Sequence, residues 1–490
     1  MLLTFRRKPG RRSGPKAALL AAASLSLLAA SAPSPAAPLG IGDPLFPHLG
    51  NPGYDVRAYD IALTYRGTGT APLDAVTKID AVTTEPLERV NLDFAQGEVR
   101  SVEVNGTRAR FRSMDEDLII TPGSPLPAGS PLRVTVRHTS DPTPDEPYEG
   151  GWVRTGDGLV MANQADAAHL VFPSNDHPSD KAQFTFRVTA PRAYTVVANG
   201  LPAGRENSGS ATTWTYRTVH PMATELAQVA IGRSSVVRRE GPHGLPLRDV
   251  VPEADRVELE PWLRKTPEQI SWMERRIGPY PFATYGILVA DAETGFALET
   301  QTLSLFERAL FTSRGYPEWY VESIMVHELA HQWFGNSVTP HRWSDLWLNE
   351  GHATWYEALY AEEKAGLRLE DRMRRAYAKS DRWRAAGGPP AAPEPPSPGQ
   401  KISLFRPVVY DGSALVLYAL RQEIGERAFE SLERMWVDLH ADGVARTTDF
   451  IALASDVSGR DLTAFFEAWL YGEKTPPMPG HPEWTAEKAG

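Results

Sequence analysis

The segment Val326–Gly335 contains two histidines and a glutamate in the order H-E-x-x-H. Residues four apart on a helix lie on the same face, so the imidazoles of His327 and His331 can converge on one cation, with Glu328 beside them. Zinc binds imidazole nitrogen and carboxylate oxygen, and a catalytic zinc site has three protein ligands and one position left for water. The two histidines therefore require one further ligand.

We expect the third ligand from residues 343–351, W-S-D-L-W-L-N-E-G, which begin a second amphipathic segment that runs to about Lys364. Its carboxylate is Glu350. An isolated H-E-x-x-H is a weak signal, because short motifs occur by chance. The second motif at this interval favours a metal site, and we predict one Zn²⁺ per chain, held by His327, His331 and Glu350.

These residues resemble the zinc aminopeptidases of the aminopeptidase-N family, which are gluzincins with H-E-x-x-H, eighteen further residues and a glutamate. Residues 332–349 are those eighteen, and His352 replaces a residue that is usually Phe. The resemblance implies an α+β multidomain protein, with an N-terminal antiparallel β-domain followed by a thermolysin-like, mainly helical zinc-peptidase domain. It further implies a short form without the helical C-terminal domain of longer members, and hence a more open cleft.

The resemblance also implies roles for residues outside the zinc motif. Glu299 aligns with the glutamate that binds the free α-ammonium of the substrate, and Tyr410 with the tyrosine that stabilises the transition state. Gln164 and Asp166 match a glutamine and an acid that reach from the β-domain into the active site. Without the resemblance, Glu299 would be interpreted as a solvated strand carboxylate, Tyr410 as a buried aromatic residue, and the segment around Gln164 as a polar loop.

Within this scheme, Glu328 has the position of the general base. Asp345 or Asn349 is expected to orient the histidines, because both are close to the motif in sequence. His341 and His352 fit no ligand spacing, so packing or surface roles are expected for them.

The N-terminus has the composition of a secretory signal peptide. Residues 1–37 carry six basic and no acidic side chains, and an apolar run from Ala17 to Ala30 is followed by small residues. The run is too short for a convincing membrane span, although a retained anchor is the alternative. The chain is therefore expected to be secreted or delivered to a periplasmic-type compartment, without stable membrane association after cleavage.

The net charge and the cysteine content limit which partners the chain can bind and which interactions can stabilise its fold. Without residues 1–37 the chain has 45 basic and 61 acidic side chains, a net charge of −16, which argues against nucleic-acid binding. There is no cysteine, so neither a disulfide nor lipid attachment through an N-terminal cysteine is available. Bound metal and a large core must supply the stability.

Four segments are predicted from the pattern along the chain. They are a signal peptide at 1–37, a β-domain at 38–240, a catalytic domain at 241–475 and a C-terminal tail at 476–490. Short alternating runs dominate the second segment, where Asn105-Gly106 is typical of a two-residue hairpin. Helical periodicity follows, and Thr266 with Gln269 indicates a capping box at a helix start.

The predicted function is that of a secreted zinc-dependent aminopeptidase whose partners are peptides with a free N-terminus. A metallo-endopeptidase with an open cleft is the alternative if Glu299 does not face the metal. A catalytically silent zinc- or peptide-binding protein is a further alternative, which the presence of Glu328 disfavours because metal binding alone does not need that carboxylate.

Overall fold

The computed structural model describes residues 40–143, 150–292, 294–397 and 401–487. The described residues form one compact unit. The predicted signal peptide lies outside the described residues. Among the helices that are described, none is long and apolar enough to cross a membrane.

The N-terminal half is built from fourteen strands among the described residues. They are β1 (Tyr54–Thr64), β2 (Leu73–Thr83), β3 (Val90–Asp93), β4 (Val99–Val104), β5 (Thr107–Met114), β6 (Asp117–Thr121), β7 (Pro131–Ser140), β8 (Gly151–Arg154), β9 (Leu159–Ala162), β10 (Gln183–Pro191), β11 (Thr195–Ala198), β12 (Leu201–Ser208), β13 (Ala211–Arg217) and β14 (Val229–Gly232). Ten form one sheet in the order β12-β13-β10-β1-β2-β7-β4-β5-β6-β3, and four form a second in the order β11-β14-β9-β8.

Alternating apolar residues give the large sheet its buried face, as the sequence pattern predicts. On β1, Tyr59, Ile61 and Leu63 are buried, and Ile61 pairs with Phe186 of β10. The pairing of β1 with β10 is parallel, whereas the other neighbours in this sheet are antiparallel. The hairpin predicted at Asn105-Gly106 joins β4 to β5, and both of its residues have positive φ.

A further sheet continues the chain into the helical half. It contains β15 (Ser234–Glu240), β16 (Pro246–Pro252), β17 (Ile287–Ala290) and β18 (Ser304–Glu307), in that order. The first pair is antiparallel and the next two are parallel. The boundary predicted at residue 240 therefore falls in the hairpin between β15 and β16. Two short strands, β19 (Thr339–Pro340) and β20 (Val444–Ala445), pair separately.

The second half is mainly helical. Its helices are α1 (Arg256–Leu263), α2 (Thr266–Arg276), α3 (Arg308–Thr312), α4 (Glu318–Ala330), α5 (Trp347–Ala365), α6 (Leu369–Gly387), α7 (Asp411–Ile424), α8 (Glu426–Leu439), α9 (Thr447–Ser458) and α10 (Thr463–Phe466). The start of α2 is predicted within one residue, but its capping box is wrong. Lys265 is the N-cap, and the buried Thr266 hydroxyl has no hydrogen-bond partner within the described part of the chain. The Gln269 amide donates to Glu322 O instead.

Helices α4, α5 and α7 pack closely around the predicted zinc motif. A Cβ added at Gly351 of α5 would lie 2.7 Å from Ser413 Cβ of α7, so this approach needs glycine. Beyond the predicted end of the catalytic domain, the tail packs on the same core. Met478 and Trp484 are buried, and the Trp484 ring stacks on Tyr418 of α7 at 5.8 Å.

Candidate metal centre

The three predicted zinc ligands come together at the junction of α4 and α5. His327 lies in the last turn of α4, His331 follows at its C-cap, and Glu350 lies in the first turn of α5. Glu350 Oε2 is 3.3 Å from His327 Nε2 and 3.5 Å from His331 Nε2. One ligand atom from each residue lies within 4.8 Å of the other two, and all three residues are buried.

The donor set fits a zinc ion. Two imidazole nitrogens and one carboxylate oxygen are the three-ligand set of catalytic zinc sites. Glu350 Oε2 is also buried without a hydrogen-bond partner among the described residues, although it faces both rings. A buried carboxylate oxygen is costly unless it is paired or coordinates a metal, so a cation at this position satisfies it.

The opposite nitrogen of each imidazole has its own partner. His327 Nδ1 lies 3.2 Å from Glu357 Oε2, and His331 Nδ1 contacts Asn349 Oδ1. When each Nδ1 carries the proton and donates to its oxygen partner, each Nε2 keeps its lone pair for the metal. Of the two residues expected to orient the histidines, Asn349 does so. Asp345 does not, because its carboxylate accepts from the backbone N–H and hydroxyl of Thr447.

Glu357 belongs to a partly buried charge network that sequence reasoning missed. Arg372 of α6 donates to Glu357 Oε1 at 2.7 Å and to Asp411 Oδ1 at 2.8 Å. Burial alone would raise the pKa of Glu357, but Arg372 and His327 together lower this pKa to about 2. Glu357 is therefore ionised at neutral pH. Its position seven residues after Glu350, two turns along one helix face, was an available signal.

Glu328 and Tyr410 line a cleft of 620 Å³ next to the ligands, which we term the catalytic cleft. Glu328 Oε2 is buried without a hydrogen-bond partner among the described residues, and burial raises the pKa of this carboxyl well above its usual range. Tyr410 immediately precedes α7, and its ring centroid lies 6.0 Å from that of His327. Burial likewise raises the pKa of Tyr410, so its hydroxyl keeps its proton and can donate a hydrogen bond.

Glu299 lies beside the metal centre rather than in solvent. The preceding residue, Leu298, forms an antiparallel bridge to Leu305 of β18, and the Glu299 side chain is buried. Its Oε1 accepts from Gln164 Nε2 at 2.6 Å and from Asn349 Nδ2 at 3.1 Å, and it lies 4.0 Å from His331 Nδ1.

Gln164 and Lys181 are two side chains of the β-rich half that bond to the catalytic half. Gln164 contacts Glu299 as described, and Lys181 donates to the carbonyl oxygens of Asn336 (2.8 Å), Ser337 (2.9 Å) and Gly443 (3.3 Å). Asp166 is buried close to Gln164 in sequence, and its role in substrate binding stays a prediction. The predicted roles of Glu328, Tyr410, Glu299 and Gln164 also stay predictions, although the geometry brings these side chains to one centre.

The remaining histidines near the motif have packing contacts, as expected. The His352 ring stacks on Phe334 at 4.2 Å and its Nε2 lies 3.1 Å from Glu433 Oε1. His341 Nε2 lies 2.9 Å from an Arg446 nitrogen. Neither ring belongs to the metal-ligating groups found among the described residues.

The fold and the donor set thus define a zinc metallopeptidase of the H-E-x-x-H class. Comparison with known proteins gives the family. Residues 262–469 match the Peptidase family M1 domain and residues 62–226 match the Peptidase M1 N-terminal domain. The chain belongs to peptidase family M1.

Solved structures and curated relatives agree with this placement. The M1 zinc metallopeptidase of Deinococcus radiodurans has a TM-score of 0.76 and 28% identity, covering 90% of this chain and 98% of that one. A mutant of it, bound to a Tyr-Ser-Ala substrate, has a TM-score of 0.75 and 27% identity, covering 90% of this chain and 100% of that one. Aminopeptidase N of Streptomyces lividans is 25% identical over 77% of this chain and 46% of that protein. The chain thus spans about half the length of that relative.

Proposed function

We propose that the protein is a zinc aminopeptidase that removes the first residue from peptides with a free N-terminus. The observation that carries the proposal is the position of Glu299. Its buried carboxylate lies 4.0 Å from a ring nitrogen of the candidate zinc ligand His331. An ammonium group bound by Glu299 would therefore be held at a short, fixed distance from the metal. Only the first peptide bond of a substrate can then reach the reactive centre.

Binding of the substrate begins with its charged N-terminus. The Glu299 side chain accepts hydrogen bonds from Gln164 and Asn349 at Oε1. Its backbone carbonyl accepts from the side-chain amides of Gln332 and Asn336, which fixes the main chain at this position. A carboxylate fixed in this way orients the ammonium without losing side-chain conformational entropy on binding, which is the advantage of a preorganised site.

His327, His331 and Glu350 would hold the zinc, which when bound activates water and polarises a carbonyl group. Glu328, next to His327 and open to the catalytic cleft, takes a proton from the attacking water and returns a proton to the leaving amine. Burial raises the pKa of this carboxyl, which makes its carboxylate a stronger proton acceptor for the first step. The Tyr410 hydroxyl donates to the carbonyl oxygen as negative charge develops there. One such donor typically lowers the barrier by about 3 kcal/mol.

The proposal is tested with a panel of aminoacyl amides and peptides, each with a free or an N-acetylated terminus, with and without a zinc chelator. We expect chelator-sensitive release of the first residue from the free-amine substrates alone. Cleavage of acetylated peptides at internal bonds would replace this function with that of an endopeptidase. Binding of peptides without any turnover would instead favour a silent binding protein.

We further propose that the protein is exported and acts outside the cytoplasm, without nucleic-acid partners or stable membrane association. The basic and apolar composition of residues 1–37 supports export, and the acidic balance of the remaining chain supports the absence of nucleic-acid binding. Expression of the full chain with fractionation and N-terminal sequencing tests this. Recovery of uncleaved protein in the membrane fraction would contradict it.

A further inference from the structure

A second cavity adjoins the catalytic cleft and is lined by cations. Its volume is 320 Å³, and it shares Tyr320, Glu357, Arg372 and Asp411 with the catalytic cleft. We term it the basic cavity. The shared lining residues show that the two cavities lie side by side.

One face of α6 supplies the charge. Arg368, Arg372, Arg375 and Lys379 all line the basic cavity. Arg368 is the N-cap of α6, and spacings of three and four residues place Arg372, Arg375 and Lys379 along a single stripe of the helix. The two carboxylates in the lining, Glu357 and Asp411, are both bonded to Arg372, and Arg368 pairs with Glu370.

Arg375 and Lys379 differ from the other two cations. Both are exposed, and within the described part of the chain neither makes an ion pair or a side-chain hydrogen bond. The chain as a whole is acidic, with a net charge of −10. The two unpaired cations therefore give this cavity, beside the candidate active site, a positive charge opposite to the net charge of the protein. A concave site concentrates the electrostatic potential of such charges.

The direction of a bound peptide follows from the proposed function, on which this inference rests. If the ammonium lies at Glu299 and the scissile bond at the metal, the residues after that bond must leave on the side of Glu328 and Tyr410. That side is the catalytic cleft, whose lining includes neither Glu299 nor Gln164. The part of the substrate that reaches the basic cavity is thus downstream of the scissile bond.

We propose that the basic cavity binds a carboxylate of the downstream part of the substrate, through Arg375 and Lys379. The group is either the C-terminal carboxylate of a short peptide or an acidic side chain. Along α6, Arg375 and Lys379 lie about 4.5 and 10.5 Å beyond Arg372, at roughly 1.5 Å per residue. An extended peptide advances about 3.4 Å per residue, so about one to three residues beyond the level of Arg372 reach these cations.

The experiment compares matched substrates on the full-length zinc enzyme. The tetrapeptide Ala-Ala-Ala-Ala is used as the free acid and as the C-terminal amide, and Ala-Ala-Glu-Ala amide is compared with Ala-Ala-Gln-Ala amide. Alanine p-nitroanilide serves as a substrate too short to reach the basic cavity. The double variant Arg375→Gln/Lys379→Gln is measured beside wild type. Arg374→Gln is the control, because it removes the same kind of charge from α6 at an exposed position that lines neither cavity.

We expect wild type to prefer the carboxylate form of one or both pairs, and the pair that does so identifies the source of the carboxylate. The double variant should lose about three- to tenfold in kcat/KM on that form, mainly through KM, as expected for two exposed ion pairs. High salt should have the same effect. Activity on the nitroanilide and the behaviour of Arg374→Gln should stay at wild-type values.

Three outcomes overturn the inference. If wild type cleaves the nitroanilide but treats both members of each pair alike, the basic cavity does not bind a downstream carboxylate, while the proposed function stands. The same holds if the double variant loses activity equally on all substrates. If wild type cleaves none of the free-amine substrates, the proposed function fails together with the inference.

Discussion

Gln164 and Glu299 are 135 positions apart in the chain, yet Gln164 Nε2 donates to Glu299 Oε1 at 2.6 Å. The bond connects the β-rich half to the zinc-binding half at a buried carboxylate. A hydrogen bond from a neutral amide orients a carboxylate without neutralising it. Gln164 and Asn349 both bond Oε1, so neither amide occupies Oε2 of Glu299.

The first prediction concerns this carboxylate. Glu299→Gln keeps the shape of the side chain but removes its charge. Loss of one partner of a desolvated charge pair costs about 2 to 5 kcal/mol, so kcat/KM on free-amine substrates should fall by roughly 30- to 5,000-fold. Zinc content should not fall with it. A variant that keeps the wild-type kcat/KM on free-amine substrates would show that Glu299 does not bind the ammonium.

The second prediction separates catalysis from metal binding. Glu328→Gln should lower kcat by about 10²- to 10⁴-fold, because a proton acceptor is removed from the cleft. Zinc content, measured by mass spectrometry of metals in the purified protein, should stay at one ion per chain. If the variant retains the wild-type kcat, Glu328 is not the proton acceptor of the reaction.

The third prediction concerns removal of the metal. Chelation should abolish turnover and lower the melting temperature, because a ligand at one hundred times its Kd stabilises the folded state by about 2.7 kcal/mol. Zinc should restore both properties. Magnesium should restore neither, since it prefers oxygen ligands in octahedral geometry. Undiminished activity of a protein shown to be free of metal would refute a zinc-dependent reaction.

The fourth prediction concerns Glu357, which contacts His327 Nδ1 and Arg372. Glu357→Gln should weaken zinc binding by about 10- to 100-fold, the usual effect of removing a partner of a ligating histidine. Competition with a chromogenic chelator measures this affinity. The control is Glu430→Gln, an exposed carboxylate on α8, which should bind zinc as wild type does.

The fifth prediction tests the close packing of α5 against α7. Gly351→Ala should raise helix propensity by about 1 kcal/mol, but its Cβ would lie 2.7 Å from Ser413 Cβ, and neither atom can rotate away. We expect a net loss of about 1 to 3 kcal/mol in the free energy of unfolding. Chemical denaturation measures the change. Addition of Ser413→Gly should recover part of the lost stability, because it removes the Cβ atom that the new methyl group would contact.

The sequence was sufficient to predict those parts of the fold and of the metal centre that depend on local periodicity. His327 and His331 converge because helix geometry fixes residues four apart, and the β-strand alternation around Tyr59 predicts its burial. Glu357 was within reach of the same reasoning. Arg372 and Asp411 were not, because they come from separate segments whose packing on α5 no local pattern encodes.

Other differences have similarly physical reasons. The sequence around Thr266 contains a capping box, but Gln269 finds the carbonyl of Glu322 on a neighbouring helix, and this tertiary contact replaces the local one. Asp345 is close to the zinc motif in sequence and bonds Thr447 instead. Likewise, the parallel pair of β1 and β10 joins strands more than a hundred residues apart, beyond what the alternation within each strand can specify.

The contacts of Lys181 bear on which substitutions the junction of the two halves tolerates. Its ammonium group binds three main-chain carbonyls, which are present whatever side chains stand at those positions. Side-chain substitutions at residues 336, 337 and 443 therefore leave these acceptors in place. Gln164 imposes a stricter condition, because its amide donates to the side chain of Glu299, and a substitution at Glu299 that lacks a side-chain oxygen removes the acceptor.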